Sequence, residues 1–183
     1  MLPEGVYHWT ATHPEWEGPV SAYAIDDGEQ LVLVDPIAVP EAVRALFGSR
    51  EVITVLTSTW HERDAADLGF PVWAPAPDRP EEELVAATRY AIGDTLFGMK
   101  AYPGREGQLD LVLWHERLRA VIAGDTLIDL GDGLEIRASW LPDGVTVEQV
   151  ADGLRPLLDE PVEIVLPTHG QPTSRAALEH ALR

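Results

Sequence analysis

Short apolar runs separated by turn residues dominate the first third of the chain. Residues 20–25 and 30–35 flank Asp26-Asp27-Gly28, a turn sequence typical of a β-hairpin. Within the second segment, residues 31–34 (Leu-Val-Leu-Val) have no polar interruption, which indicates a strand covered on both faces. The pattern therefore predicts a buried sheet that begins with a hairpin.

Strand and helix signals then alternate. A helix is predicted at residues 40–47, an apolar strand at residues 52–56, a helix at residues 61–68 and a brief strand at residues 72–74. Together with the preceding strand, this βαβαβ order favours a parallel sheet with helices packed on it.

The alternation of strand and helix signals ends in the second half of the chain. Residues 80–90 predict a short acidic helix or lid, and residues 109–114 and 120–123 predict a second hairpin. Thr146, followed three residues later by Gln149, forms a capping-box pattern that predicts a helix ending near Leu158.

A strand at residues 162–166 and a terminal helix capped by Ser174 complete the prediction. The sequence contains no linker, low-complexity tract or internal repeat. We therefore predict a single domain that spans all 183 residues.

Charge narrows the classes of partner. The chain has 13 Lys and Arg residues against 31 Asp and Glu residues, a formal net charge of −18. Because nucleic acids and anionic membrane surfaces are bound through positive patches, we expect neither as a partner. Apolar residues make up 45% and charged residues 24% of the chain, which is typical of a globular protein and excludes a disordered one.

Cysteine is absent, which excludes disulfides and thiolate metal sites and favours a reducing compartment. The first residues contain neither the basic nor the apolar segment of a signal peptide. No apolar run approaches the roughly 20 residues of a membrane helix. The expected protein is soluble and cytoplasmic.

Three polar segments each follow a predicted buried strand. In open α/β sheets, ligands bind at the carboxyl ends of the strands, so these segments are predicted to carry the chemistry. They are residues 56–64 (Leu-Thr-Ser-Thr-Trp-His-Glu-Arg-Asp), residues 123–127 (Ala-Gly-Asp-Thr-Leu) and residues 166–170 (Leu-Pro-Thr-His-Gly).

The order and spacing of these segments resemble the metallo-β-lactamase superfamily over nearly the whole chain, from Ser21 to Pro172. The resemblance implies an α/β (α+β) fold, a four-layer αββα sandwich with metals at the edge between two β-sheets. It also implies a ligand set: a His-x-His-x-Asp-His run, a His after Pro-Gly, the Asp of Gly-Asp-Thr-Leu and a final His. Imidazole and carboxylate ligands suit zinc, which lowers the pKa of bound water to about 7.

Only part of that ligand set is present. Aligned through Leu56 and Thr57, the four ligand positions of the run hold Ser58, Trp60, Glu62 and Arg63. Shifted by one residue, they hold Thr59, His61, Arg63 and Asp64. The position after Pro-Gly holds Arg105, whereas Asp125 and His169 match the family pattern. These residues, from Ser58 to Asp64 and with Arg105, Asp125 and His169, form the candidate cleft.

Arginine at two ligand positions argues against a metal cofactor. A guanidinium stays protonated and has no lone pair to donate. Two unit charges about 4 Å apart interact by roughly 4 kcal/mol at an effective dielectric constant of 20, so such a cation repels a metal ion strongly. We expect Arg63 and Arg105 to pair with Asp125 and Glu62 in an internal ion-pair network.

Each candidate also has an ordinary structural interpretation. Asp125 is suited to capping a turn, His169 to a hydrogen-bonded turn, and Glu62 to the first turn of a helix, where the helix dipole favours it. His61 is typical of a solvated helix start or a cap. Trp60 suits either core packing or stacking on a planar ligand.

Three functions remain open. The favoured one is a non-catalytic relic or regulatory module that binds a small, anionic molecule through Arg63 and Arg105. The second is a metal-dependent hydrolase of an ester, thioester or lactone. It would hold zinc or another divalent metal on Asp125 and His169, with Glu62 or Asp64, and with or without His61. The third is a structural domain that interacts through its acidic faces. No catalytic residue is assigned.

Overall fold

Two mixed β-sheets with short helices make up the computed structural model, which describes residues 1–15, 18–76 and 86–183. The chain divides into two compact units, Met1–Tyr90 and Ala91–Arg183, and each contains one sheet. The predicted α+β class is confirmed. The single domain expected from the sequence stays a prediction.

The first unit contains a sheet with the strand order β1-β2-β3-β4-β5-β6. Its strands are β1 (Val6–Thr12), β2 (Pro19–Asp26), β3 (Gln30–Val34), β4 (Glu51–Val55), β5 (Val72–Pro75) and β6 (Thr88–Tyr90). Its helices are α1 (Glu41–Arg44), a 3-10 turn at Phe47–Ser49 and α2 (Ala65–Leu68).

Pairing in this sheet changes direction at β3. Strands β1, β2 and β3 are antiparallel neighbours, whereas β3, β4, β5 and β6 run parallel. Both the predicted hairpin and the predicted parallel βαβαβ arrangement are therefore confirmed.

The apolar run of β3 is buried on both faces, as its composition predicts. Leu31 and Leu33 pack in one cluster with Val43 of α1 and Val52 of β4. Val34, whose side chain alternates with theirs, is also fully buried. Burial of both faces explains why residues 31–34 of this strand are all apolar.

The helix predicted at residues 61–68 begins later, at Ala65. The amide of Asp64 donates to the carbonyl of Pro36 (3.2 Å), and its carboxylate accepts from the amide of Ala38 (2.6 Å). These bonds hold Asp64 in a turn before the helix, so the expectation that Glu62 lies in a first helical turn is wrong.

The helix or lid predicted at residues 80–90 is also corrected in part. Thr88–Tyr90 forms strand β6, which pairs with β5. Residues 80–85 of that prediction lie outside the described residues.

The second unit contains a sheet with the strand order β12-β11-β10-β9-β8-β7. Its strands are β7 (Thr95–Leu96), β8 (Met99–Gly104), β9 (Gly107–His115), β10 (Ala120–Gly124), β11 (Ile164–Pro167) and β12 (Thr173–Ser174). Its helices are α3 (Val147–Leu154), α4 (Arg175–Ala181) and 3-10 turns at Ala138–Trp140 and Arg155–Leu158.

Most sequence predictions for this unit hold. Strands β9 and β10 form the predicted antiparallel hairpin. The capping box is present, because Thr146 Oγ1 accepts from the Gln149 amide and the Gln149 side chain accepts from the Thr146 amide. The α-helix ends at Leu154 and a 3-10 turn follows it at Arg155–Leu158. Pro156 in this turn has no amide hydrogen, so it cannot donate the hydrogen bond that would continue the α-helix.

Helices α3 and α4 pack on the second sheet through a single apolar cluster that includes Leu154, Leu178 and Val165. α4 begins directly after Ser174, whose side chain makes no capping hydrogen bond, contrary to the prediction. Among the described helices, none has both the length and the apolar character that a membrane span requires.

Candidate functional site

The candidate residues fall into two groups, one in each unit. Residues 58–64 follow β4 in the first unit. Arg105 follows β8, Asp125 follows β10 and His169 follows β11 in the second unit. Each group makes hydrogen bonds within its own unit.

The first group is organised by a carboxylate that the sequence analysis missed. Asp35 directly follows β3, adopts a left-handed backbone conformation (φ 46°) and is 2% exposed. The Thr57 amide donates to its Oδ1 (2.8 Å) and the Thr57 hydroxyl to its Oδ2 (2.6 Å). His61 Nδ1 lies 3.1 Å from the same Oδ2. Asp35 thus ties the end of β3 to the turn that carries the candidates.

The electrostatics of Asp35 favour its charged form. Burial by itself raises the pKa of this carboxyl, but the charge and hydrogen bond of His61, the charge of Arg63 and the hydrogen bond from Thr57 outweigh burial, and its pKa lies below the ordinary value. A negative charge is therefore held inside this unit next to two basic side chains.

Arg63 is bound differently from the pairing with Glu62 that the sequence suggests. Its Nη1 donates to the carbonyl of Asp35 (2.7 Å) and to the carbonyl of Ser21 (3.3 Å). Its backbone is left-handed, with φ 42°. The guanidinium therefore links two strands of the sheet through main-chain oxygens.

Four of the candidates line one cavity in this unit. Trp60, Glu62, Arg63 and Asp64 border a space of about 510 Å³, together with His13, Pro14, Glu15 and Ile37. Ser58 and His61 are instead buried, with at most 1% of each residue exposed. The interpretation of His61 as a solvated helix start is therefore wrong.

The second group is centred on Arg105, whose side chain is 11% exposed. Its Nε lies 3.2 Å from Asp110 Oδ2, and its Nη2 lies 3.3 Å from Asp125 Oδ2 and 3.5 Å from Glu106 Oε1. The side chains of Asp110 and Asp125 are almost fully buried. One guanidinium thus faces three carboxylates, two of them removed from water.

Two neighbours fix the Arg105 guanidinium in place. The Arg105 amide donates to Thr126 Oγ1 (2.9 Å), and the Thr126 hydroxyl donates to Asp110 Oδ2 (2.9 Å). Nη1 of Arg105 donates to the carbonyl of Trp140 (2.7 Å), and the Trp140 ring centre lies 5.6 Å from its Cζ. The cation is therefore held by a main-chain carbonyl and an aromatic ring as well as by charge, and Thr126 links the Arg105 backbone to Asp110.

Asp110 and Thr126 are members of this network that the sequence analysis did not identify. One signal was available, because Asp110 interrupts the apolar run at residues 109–113 of β9. A carboxylate within a buried strand requires a partner, and Arg105 lies only five residues away.

His169 lies beside the same carboxylate as Arg105. Its Nε2 is 3.4 Å from Asp125 Oδ1, and its ring meets the Trp140 ring edge-on at a centroid distance of 5.1 Å. Its carbonyl accepts from the amide of Asp129 (2.8 Å). The His169 side chain thus lies against Asp125 and Trp140, and its interpretation as a hydrogen-bonded turn histidine stays a prediction.

The comparison with known proteins concerns the fold. The sequence matches no family model and no curated protein. Solved structures do match: DIM-1 metallo-β-lactamase has a TM-score of 0.74 at 16% identity, over 98% of this chain and 92% of that one. A metallo-β-lactamase from Erythrobacter litoralis has a TM-score of 0.69 at 19% identity, over 100% and 88%. FIM-1 from Pseudomonas aeruginosa, in its mono-zinc form, has 0.70 at 16%, over 98% and 90%.

The chain has the metallo-β-lactamase fold. This confirms the resemblance predicted from the order of the polar segments. At identities below 20%, the likeness shows the fold and does not transfer an activity.

The metallo-β-lactamase fold implies metal ions as cofactors. The second group of residues is not suited to binding a metal ion. Among the described residues, no group of three or more His, Asp or Glu side chains is arranged to hold a metal ion. Of the donors expected from the resemblance, this unit supplies Asp125 and His169, and Asp125 already pairs with Arg105. A divalent cation bound to Asp125 would lie next to a permanent positive charge.

Proposed function

We propose that this protein is a metal-independent binding protein that uses the metallo-β-lactamase fold to hold a small molecule, and that it is not a metallohydrolase. The observation that carries the proposal is the pairing of Arg105 with Asp125. Asp125 is the carboxylate that matches the Asp of the family's Gly-Asp-Thr-Leu motif, and it is paired with a fixed guanidinium.

Electrostatic magnitudes support this choice. At about 4 Å, the guanidinium by itself would repel each unit of charge on a metal ion by roughly 4 kcal/mol at an effective dielectric constant of 20. This contribution of the guanidinium corresponds to nearly three powers of ten in affinity for each charge and is counted before the attraction of the neighbouring carboxylates. Without a metal-bound hydroxide, the family's usual nucleophile for esters, thioesters or lactones is absent.

Charge balance also bears on the ligand. The sequence suggested a small anion bound by Arg63 and Arg105. Arg105, however, is surrounded by Asp110, Asp125 and Glu106, whose carboxylates outnumber it. An anion placed there would meet net negative charge, so Arg105 is better suited to holding the fold together than to binding an anion.

Metal content tests the proposal directly. Protein purified without chelator is analysed by elemental mass spectrometry, alongside its Asp125→Asn and His169→Ala variants. We expect much less than one zinc, manganese or iron per chain and no change in melting temperature on adding EDTA. One or more zinc ions per chain, lost in both variants together with hydrolysis of a model ester or thioester, would overturn the proposal and favour a reduced metallohydrolase site.

A further inference from the structure

The cavity of the first unit has the dimensions of a small-molecule site. Its volume of about 510 Å³ lies within the range of roughly 300–1,000 Å³ typical of ligand pockets. Trp60, Ile37 and Pro14 give it apolar surface, and Glu62 and Glu15 give it carboxylates. It therefore combines an aromatic wall with negative charge, two features that together recognise organic cations.

The other charged groups of this cavity have internal partners. Arg63 donates to the carbonyls of Asp35 and Ser21, and its positive charge is offset by the buried Asp35 carboxylate. The carboxylate of Asp64 accepts a hydrogen bond from the amide of Ala38. These groups are part of the scaffold around the cavity.

Glu62 and Glu15 differ from that scaffold. Within the described part of the chain, neither carboxylate makes a hydrogen bond or an ion pair. Glu62 is half-buried, so its charge is partly shielded from water. A half-buried carboxylate that lines the same cavity as an indole is better stabilised by a cation than by water alone.

The backbone holds Glu62 in a defined position. The Ala65 amide donates to the Glu62 carbonyl (2.7 Å), and the His61 amide donates to the Ser58 carbonyl (3.2 Å). Thr57, at the start of the same turn, is bound to Asp35. Because the turn is already ordered, a ligand that meets Glu62 has little backbone entropy to remove.

The geometry points to a binding site for a small organic cation in this cavity, in which an ammonium group lies against Glu62 and an apolar or aromatic body lies against Trp60 and Ile37. The inference rests on the proposed function, since it names the ligand class of a binding protein. It replaces the small anion expected from the sequence, because the charges of the cavity that lack partners in the described residues are negative.

Isothermal titration of the full chain with three probes of similar size tests this site. The probes are benzyltrimethylammonium chloride, benzyl alcohol and sodium phenylacetate. We expect saturable binding of the ammonium probe, at least tenfold weaker binding of the alcohol, and no saturable binding of phenylacetate. The ammonium affinity should fall as ionic strength rises, because the Glu62 charge is only partly shielded.

Variants locate the binding. Glu62→Gln keeps the shape of the side chain and is expected to lower the affinity for the ammonium probe at least fivefold. Trp60→Leu is expected to lower this affinity by a similar factor. Glu116→Gln removes an exposed carboxylate from the turn between β9 and β10 and should leave the affinity unchanged. If Trp60→Leu does not fold, Glu62→Gln decides.

Binding of phenylacetate in preference to the ammonium probe would overturn the inference. Equal affinities of the native chain and Glu62→Gln for that probe would also overturn it. Neither outcome affects the metal-content result, so failure of this inference is distinguishable from failure of the proposed function.

Discussion

Nη2 of Arg105 lies 3.3 Å from Oδ2 of Asp125, a carboxylate with only 1% of its side chain exposed. Asp110, whose Oδ2 lies 3.2 Å from Nε of the same guanidinium, has no exposed side-chain surface. Two buried negative charges thus depend on one cation. Each of these buried carboxylates has this one guanidinium as its oppositely charged neighbour.

Replacing Arg105 with Ala should therefore destabilise the protein strongly. The change leaves Asp110 and Asp125 buried without their cation, and breaking a buried ion pair in this way typically costs about 3–5 kcal/mol. Urea denaturation followed by circular dichroism measures the loss in the free energy of unfolding.

Arg119→Ala is a matched control. Arg119 pairs with Glu163, and both side chains are about half exposed, so its loss should cost no more than about 1 kcal/mol. Similar effects of the two substitutions would show that the Arg105 network contributes no more than a surface ion pair.

Replacing Arg105 with His should create zinc binding. The substitution removes the fixed positive charge next to Asp125 and adds an imidazole donor to a unit that already places His169 Nε2 3.4 Å from Asp125 Oδ1. We expect no saturable zinc binding by the native chain and a micromolar dissociation constant for Arg105→His, measured by competition with a zinc-responsive dye.

The double variant Arg105→His/His169→Ala controls for zinc bound elsewhere on this acidic surface. It should lose most of the gained affinity. Zinc affinity that is equal in the native chain and in Arg105→His would show that the guanidinium does not limit metal binding.

Strands and hairpins could be predicted from the sequence because the patterns that indicate them are local. The apolar run at residues 31–34 and the turn at Asp26-Asp27-Gly28 predicted the hairpin and the buried strand β3. Asp125 and His169 could be predicted because they belong to recognisable short motifs that follow strands. The start of α2 could not be predicted, because it depends on hydrogen bonds of Asp64 with Pro36 and Ala38.

The partners of the buried charged groups were harder to predict from the sequence. Asp35 meets Thr57, which is 22 residues away, and no periodic pattern links the two positions. Asp110 could have been found as a carboxylate in an apolar strand, but its contact with Thr126 depends on how β9 and the turn after β10 fold together. Sequence patterns therefore located the chemistry-bearing turns better than they paired the side chains.

Asp35 should make stability depend on pH in the acid range. Its folded-state pKa lies below the ordinary value of 3.8, so the unfolded chain binds this proton more readily. The carboxylate contributes stability that is fully present above about pH 4 and is lost as pH falls through the lower folded-state pKa. Asp35→Asn should flatten this acid limb and lower stability at pH 7 by about 3–5 kcal/mol, because His61 and Arg63 lose a buried partner.

Urea denaturation between pH 2.5 and pH 7 measures both effects. Asp67→Asn, which neutralises an exposed carboxylate of α2, should leave the acid limb and the stability at pH 7 within about 0.5 kcal/mol of the native values. An acid limb as steep in Asp35→Asn as in the native chain would assign the pH dependence to other carboxyl groups.

A side chain at Gly104 should destabilise the protein for a steric reason that involves the Arg105 network. A Cβ atom at this position would overlap the carbonyl oxygen of Asp110 and lie 2.5 Å from Thr126 Oγ1, so β8 and β9 would have to separate where Arg105 begins. Gly104→Ala is expected to lower the free energy of unfolding by about 1–3 kcal/mol, as overpacking of a buried site typically does. Gly48→Ala, where a Cβ atom would meet no other atom within 4 Å, should change it by less than about 0.5 kcal/mol. Thermal and urea denaturation of both variants measure the difference, and equal stabilities would mean that the two strands part at this point without cost.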